Sequence, residues 1–420
     1  MSLRSFLSTG DSGVFASLQH PQYRVLWGAT TLSAIANWTL LTGRGWVAYD
    51  LHQHSSTVGL VVFASMLPYL LVTPFGGVLA DRFDRRILLV STLGISLASG
   101  LALALLVLLG VQSEWPLVIL SFISGAARSV EIPAGQSMVP AVVPERELLN
   151  AVALGSLAMH GSRLLGPLLA APLLDRGDAS GAFILSALIF LAAVVQVLRL
   201  HSVPQARNPV RGVSAQLVEG VRYTLRDRVA LMLIALVFFH CGLVMAYDAV
   251  LPVLARDVLG AGGQAYSYLV MSIGAGSLVG TFALAGMPRT LHRGVLLFAT
   301  GMLSGSTLLL FAFAGQWSTA LVAAALMGAA QAMFMALTNT FLQLVTPDRV
   351  RGRVLSLYLM VGGGVMAFAN LASGRLADAY GVMPVLALPA AAFMVVVAVS
   401  VLGPSLRGVY GRRTAPAAAH

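Results

Sequence analysis

Long apolar runs separated by short polar turns occupy most of the chain. Runs long enough to cross a bilayer lie near residues 25–50, 57–80, 87–111, 115–138, 149–173 and 180–200, and then near 229–255, 265–287, 294–314, 317–345, 353–377 and 382–403. A helical crossing of the hydrocarbon core needs about 20 apolar residues. The runs are too long and too uniformly apolar for the alternating strands of a membrane barrel. The pattern therefore predicts an all-α membrane protein with twelve transmembrane helices in two groups of six.

Composition and charge agree with this prediction. Of 420 residues, 58% are hydrophobic and only 10% are charged, which excludes an ordinary soluble enzyme. All 26 basic residues are arginine, so chemistry that requires a phosphate-loop or Schiff-base lysine is excluded. If both termini are cytoplasmic, the arginines concentrate on the cytoplasmic side, as the positive-inside rule requires. The net charge of +10 therefore needs no nucleic-acid partner.

The only long polar connector divides the chain into two halves. We predict a cytoplasmic tail over 1–23, a six-helix bundle over 24–200, a linker over 201–228, a second bundle over 229–403 and a cytoplasmic tail over 404–420. Within the linker, Val213, Leu217, Val221 and Leu225 recur every four residues. This spacing allows a short amphipathic helix on the cytoplasmic surface.

The two halves are related by a sparse internal repeat. A shift of 203 positions superposes Gly77 on Gly280, Arg86 on Arg289, Pro144 on Pro347, and Arg146 on Arg349. Two parallel six-helix repeats form a transporter architecture in which the substrate site lies between the repeats near the bilayer midplane. The repeat therefore predicts two pseudo-symmetric bundles and favours transport over intramembrane catalysis.

The loop after the second apolar run carries a recognisable motif. It reads Gly77-Val-Leu-Ala-Asp81-Arg82-Phe-Asp84-Arg85-Arg86. This resembles the signature loop of the major facilitator superfamily, with Asp84 in place of the second glycine. A carboxylate among guanidiniums at a helix end can pair in one gate state and separate in the other. A basic loop that only sets topology would explain the arginines but not the spacing of the glycine and first aspartate.

Other stretches are similar to the branch of this superfamily that contains the enterobactin exporter and the macrolide efflux proteins. They are Leu67-Pro68-Tyr69, residues 144–151 (PERELLNA), Gly166-Pro167, and residues 347–354 (PDRVRGRV). The resemblance implies a secondary exporter driven by proton antiport. Antiporters of the superfamily often end the fifth-helix motif in two glycines, and here Ala170-Ala171 replace them. Small residues still permit close helix approach.

Few charged residues lie inside the predicted spans, and such residues usually face a cavity or a partner. Arg128 and Glu131 are three residues apart, which places them on one helix face at pairing distance. Glu131 is a candidate proton carrier whose proton affinity changes as substrate approaches Arg128. The alternative is a permanent ion pair, with Pro133 making a structural kink.

Arg44 and Asp248 are predicted at matching depths in the first and seventh spans, about 30 Å from the cytoplasmic start of each helix. We therefore predict an Arg44–Asp248 pair that closes the external gate and breaks when Asp248 takes a proton. The alternative is that both side chains lie in water at the outer interface, where an ion pair contributes little.

Arg163 is predicted near the midplane, about 21 Å into the fifth span. Together with Arg128 it favours an anionic substrate, because arginine binds planar oxyanions through two hydrogen bonds. The alternative is that it packs against backbone carbonyls. Further candidates for the substrate cavity are Asn37, His160, Tyr247, Gln331 and Asn339. Singly, such residues more often form interhelical hydrogen bonds than bind ligands.

These observations predict a monomeric, proton-coupled exporter of a siderophore-like or drug-like small molecule in the bacterial cytoplasmic membrane. No cofactor is expected. No metal site is expected either, since His52 and His54 alone are insufficient ligands. An importer or multidrug pump of the same fold and a non-transporting membrane scaffold remain alternatives. An intramembrane enzyme is disfavoured because the zinc and aspartyl protease motifs are absent from the sequence.

Overall fold

The computed structural model describes residues 15–73, 75, 79, 83–111, 113–201, 213–260, 262–287 and 293–401. These residues form fourteen α-helices, and no strand occurs among them. The helices are α1 (Pro21–His52), α2 (Ser55–Leu71), α3 (Arg85–Leu108), α4 (Glu114–Val142), α5 (Leu148–Asp175), α6 (Ala179–Val197), α7 (Val213–Arg226), α8 (Arg228–Phe239), α9 (Leu251–Val253), α10 (Gly263–Gly286), α11 (Arg293–Ala312), α12 (Trp317–Val345), α13 (Asp348–Tyr380) and α14 (Val382–Ser400). Short 3₁₀ helices cover Ala16–Gln19 and Glu145–Glu147, and π-helical turns cover His240–Val244 and Leu254–Val258.

The bundle has two distinct ends. We call the end at which α1 begins and α7 packs against the start of α13 the linker end. We call the opposite end, where α1 passes into α2, the far end. The predicted linker helix is present as α7.

Eight of the described helices are long and apolar enough to cross a membrane, and the bent pair α7–α8 passes the same test when taken together. Among the helices outside this set are α1 and α5, which carry Arg44 and Arg163. A helix that lines a polar interior is not apolar on every face. The less apolar helices are therefore the ones that can line a polar site.

Each half of the sequence buries its own hydrophobic core. The buried members of one core come from residues 26–200, and those of the other come from residues 230–397. The halves meet mainly where α2 packs against α13 and where α5 packs against α10. A site between the halves is therefore bordered by these four helices and by α1, which contacts α9 and α10.

The internal repeat is visible in helix packing. Gly125 of α4 lies so close to α2 that an added Cβ would stand 2.2 Å from the carbonyl oxygen of Ser65. Gly328 of α12, which the 203-residue shift superposes on Gly125, would place a Cβ 2.0 Å from the carbonyl oxygen of Ile273 in α10. The same glycine thus permits the same helix contact in each half.

We expect Gly125→Ala and Gly328→Ala each to destabilise the protein, because the new methyl group must push two helix backbones apart. Overpacking of this kind costs about 1–3 kcal/mol. Gly155→Ala in α5 is the matched control, since no atom lies within 4 Å of its added Cβ. Thermal unfolding of the purified proteins measures the difference. Equal midpoints for the Gly125 and Gly155 variants would contradict the assigned packing.

Three helices begin at aspartates whose side chains cap the helix N-terminus. Asp84, Asp178 and Asp227 accept the backbone N–H of Arg86 (2.8 Å), Gly181 (2.7 Å) and Ala230 (2.8 Å), respectively. Such caps satisfy donors that have no partner within the helix. At Asp178, hydrogen bonds from the Ser180 hydroxyl and the Gly181 amide lower the carboxyl pKa below its ordinary value. The aspartate that departs from the signature motif thus starts α3.

Candidate functional site

The helix that follows α7 is broken near the middle of the bundle. The sequence predicts one continuous span over 229–255, but α8 passes into a π-helical turn and then into non-helical turns over residues 245–250. Pro252 provides a physical reason, because it has no N–H to donate to the carbonyl of Asp248. π-Helical turns of this kind are frequent at functional sites. Tyr247 and Asp248 lie in the break.

Side chains from other helices bind the interrupted backbone. Gln331 of α12 donates to the Val244 carbonyl at 3.3 Å, and Asn370 of α13 accepts the N–H of Ala249 at 3.1 Å. Both amides are buried. The break is therefore hydrogen-bonded to the rest of the C-terminal half.

A chain of hydrogen bonds crosses between the halves at this break. Nη2 of Arg163 on α5 donates to the Tyr247 hydroxyl at 2.9 Å, and this hydroxyl donates to Oε1 of Gln331 at 3.0 Å. The guanidinium carbon also lies 4.9 Å from the ring centroid of Trp38. Nε of Arg163 is buried and has no hydrogen-bond partner among the described residues. We call Arg163, Tyr247 and Gln331 the central relay.

Arg44 and Asp248 line one small cavity beside the central relay, together with Ser65, Tyr266 and several aliphatic side chains. Arg44 is only 3% exposed, and its Nε and Nη2 have no hydrogen-bond partner among the described residues. The predicted Arg44–Asp248 ion pair is wrong for this structure, because no such pair is formed within 4.0 Å. Asp248 is also close enough to Arg163 to interact electrostatically. Arg163 therefore interacts with the Asp248 carboxylate, and Arg44 lines the same cavity without pairing with it.

Other residues hold the two halves together at the far end. Arg256 Nη1 donates to Oδ1 of Asp50 at 2.9 Å, and the Tyr49 hydroxyl donates to Oδ1 of Asp257 at 2.7 Å. The Arg256 guanidinium also lies about 6 Å from the ring centroids of Trp46 and Tyr49. These contacts join the two halves at the far end, a role that the sequence analysis gave to an Arg44–Asp248 pair.

A further far-end contact joins a carboxylate to a helix N-terminus. Asp378 of α13 accepts the backbone N–H groups of Ser55 and Ser56 at 2.7 and 3.0 Å. It thus caps α2 from the other half of the chain, where the helix dipole favours a negative charge. Sequence reasoning missed Asp50, Asp257 and Asp378 because they look like ordinary polar-turn residues, and their partners lie more than 200 positions away.

Arg128 and Glu131 form the predicted pair within the N-terminal half. Arg128 Nη1 donates to Oε1 of Glu131 at 2.6 Å and to the Ser33 hydroxyl at 3.0 Å. Glu131 is 2% exposed, and its Oε2 has no hydrogen-bond partner among the described residues. Helix α4 continues through Pro133. The pair is separate from the central relay, and its role stays a prediction.

The Gly166-Pro167 motif explains why α5 can approach two neighbours. A Cβ on Gly166 would lie 2.4 Å from Cβ of Trp38 on α1. Pro167 has no N–H to donate to the Arg163 carbonyl. At that carbonyl, Gly274 of α10 packs so closely that its own added Cβ would stand 2.6 Å away. The motif therefore brings Arg163 to the junction of α1, α5 and α10.

Only part of the signature loop can be located. Gly77, Asp81 and Arg82 lie outside the described residues. Arg85 Nη1 donates to the Ser137 carbonyl of α4 at 2.7 Å, and Arg86 Nη2 donates to the Leu198 carbonyl after α6 at 2.5 Å. Both arginines thus attach the start of α3 to neighbouring helices at the linker end.

Of the remaining candidates for the substrate cavity, two lie near the central relay and one does not. His160 lies one turn before Arg163 and within its electrostatic range, and Asn37 is half-buried beside Trp38. Asn339 is not brought to the relay. It lies two turns further along α12 than Gln331, and its Oδ1 accepts from Gln343 Nε2 at 2.5 Å.

The chain matches known proteins over most of its length. Residues 12–409 match the family model described as "Transmembrane secretion effector". The chain is 22% identical over 368 residues to the staphyloferrin A transporter of Staphylococcus aureus, covering 86% of this chain and 90% of that protein. It is 26% identical over 343 residues to the enterobactin exporter EntS of Escherichia coli O139:H28, covering 81% of each.

A solved structure shares the fold. A POT family transporter in complex with a thioalcohol-conjugated peptide superposes with a TM-score of 0.76 at 13% identity, covering 93% of this chain and 96% of that one. The family and its relatives are transporters rather than enzymes, so this is a multi-pass protein of the cell membrane. The chain belongs to the transmembrane secretion effector family of the major facilitator superfamily.

Proposed function

We propose that the protein is a secondary active exporter of a small organic anion, coupled to proton antiport. The central relay, beside the carboxylate of Asp248, is the observation that carries this proposal. It is a polar connection between the halves, and alternating access requires such a connection to form and break around the substrate site. Transport itself follows from the family, whereas the direction, the substrate and the coupling ion are proposed here.

The charges around the cavity favour an anionic substrate. Arg44 and Arg163 both have buried guanidinium N–H groups without partners among the described residues, and Asp248 is the one acid beside them. A buried charge is costly unless it is paired. A carboxylate-bearing or oxyanion-bearing substrate would supply the missing acceptors. Relatives named for staphyloferrin A and enterobactin support a siderophore-like anion.

The proposed cycle uses twelve crossings, with both termini in the cytoplasm and the bundles over 24–200 and 229–403 moving against each other as a monomer. Asp248 carries the proton, because it lies in the broken helix within electrostatic range of Arg163 and lines one cavity with Arg44. When Asp248 is protonated, its attraction for Arg163 is removed, so the donors of Arg163 become available to the substrate together with those of Arg44 in the same cavity. When it is ionised, it competes with the substrate for them.

We expect Asp248→Asn to keep substrate exchange but to lose the response to a pH gradient, because asparagine cannot release a proton. The measurement is flux of enterobactin and of staphyloferrin A in proteoliposomes with and without an imposed gradient. Asp175→Asn is the control, since Asp175 is exposed at the far end and its side chain makes no hydrogen bond to other described residues. Wild-type flux that ignores the gradient would refute proton coupling.

Glu131→Gln tests the other buried acid in the same assay. We expect this variant to stay coupled, because Glu131 is already paired with Arg128 and Ser33. If Glu131→Gln loses the pH response while Asp248→Asn keeps it, the proton carrier lies in the N-terminal half and the assignment to Asp248 is wrong.

A further inference from the structure

The linker helix α7 has two faces of opposite character. One face packs against the C-terminal half: Glu219 pairs with Arg353 at 2.5 Å, the Tyr223 hydroxyl donates to the Val345 carbonyl at 3.2 Å, and Gly220 lies against the Arg353 backbone. The polar side of this amphipathic helix is therefore the side that contacts protein.

The other face of α7 is apolar and basic. A shallow groove there is lined by Leu217, Val218, Val221, Arg222, Leu225 and Arg226. Val218 is 57% exposed and Leu225 is 64% exposed, although both are aliphatic. Neither Arg222 nor Arg226 has an ion-pair partner among the described residues. In water, this face would expose apolar surface without compensation.

The orientation of α7 indicates that its apolar and basic face lies against the membrane surface. The segment Leu217–Arg226 makes an angle of 107° with the following segment Arg228–Val244, which enters the bundle. A helix nearly perpendicular to a membrane-crossing segment lies roughly parallel to the bilayer surface. Aliphatic side chains with arginines on the same side suit the boundary between acyl chains and headgroups.

We propose that α7 is a bilayer-surface anchor whose exposed face binds anionic lipid headgroups through Arg222 and Arg226, while Val218, Val221 and Leu225 insert at the headgroup boundary. Each basic residue near an anionic surface contributes roughly a fivefold preference for that surface. Because α7 is also bonded to the start of α13, it ties the C-terminal half to one leaflet.

The test places a probe on the exposed face of the full-length protein. Leu225→Cys is labelled with an environment-sensitive fluorophore, and the native Cys241 does not compete because it is 1% exposed. The protein is reconstituted in phosphatidylcholine vesicles with or without phosphatidylglycerol. We expect a blue shift, quenching by lipids spin-labelled just below the headgroup, and protection from aqueous iodide, all stronger with phosphatidylglycerol. Free access to iodide in anionic vesicles would overturn the proposal.

A charge variant separates lipid binding from folding and from transport. Arg222→Gln with Arg226→Gln keeps the Glu219–Arg353 and Tyr223 contacts, so we expect unchanged thermal stability but loss of the phosphatidylglycerol-dependent shift. Arg199→Gln removes an exposed arginine from the linker end in the other half and should keep that shift. A double variant with the wild-type lipid response would refute the role of the two arginines. Because the readout is probe position, the result does not depend on which substrate is exported.

Discussion

Arg163→Gln is expected to lower affinity for the anionic substrate, and its transport, by about 30-fold or more. Removing one partner of a buried, hydrogen-bonded charge costs about 2 kcal/mol or more. Arg163 donates to Tyr247 and stacks on Trp38, and its Nε–H has no partner among the residues that the structure describes. Glutamine therefore loses the relay bond and the positive charge together. Substrate binding to the solubilised protein and flux in proteoliposomes measure the loss.

Two further variants identify the cause of the Arg163 effect. Arg163→Lys keeps the charge but not the planar fork, and we expect it to recover only part of the affinity. Arg199→Gln removes the same charge from an exposed position and should bind substrate like the wild type. If Arg163→Gln binds the anion as tightly as Arg199→Gln does, the central relay is structural and the anion site lies elsewhere.

The all-α membrane fold and the internal repeat were predictable from the sequence because the signals for them are local. Eight of the described helices show their apolar length directly, and α7 follows a four-residue spacing. The internal repeat was visible in glycines and prolines. Their effects on the backbone can be inferred without knowing which residues they contact. The pairing of Arg128 with Glu131 was also predictable, because a spacing of three positions on one helix places the two side chains on the same face within pairing distance.

The geometry of the site could not be predicted in the same way. Arg163, Tyr247 and Gln331 were each proposed for the cavity, but their hydrogen bonds join residues 84 positions apart. Arg44 and Asp248 were placed at equal depth by counting helical rise, which assumes a continuous helix. The two side chains do line one cavity, but Asp248 lies in the break over residues 245–250 and does not pair with Arg44.

Asp378→Ala is expected to open the far end of the bundle. Asp378 accepts two backbone N–H groups of α2, and loss of such a cap costs about 1–2 kcal/mol. That cost shifts an equilibrium between closed and open far ends by about 5- to 30-fold. The neighbouring Asp50–Arg256 pair is solvent-exposed and contributes little by itself, so it cannot replace the cap. Distances between spin labels at Trp115→Cys and Met383→Cys, two exposed far-end positions, should lengthen.

The internal repeat supplies the control for this opening. The 203-residue shift superposes Asp175 at the end of α5 on Asp378, yet Asp175 is exposed and caps no helix among the described residues. Asp175→Ala should therefore leave the label distances unchanged, while Asp378→Asn, which keeps one acceptor oxygen but no charge, should give an intermediate shift. If all three variants keep the wild-type distances, charge at the α2 N-terminus does not hold the far end closed, and closure must depend on the packing of Tyr49, Trp46 and Tyr266 instead.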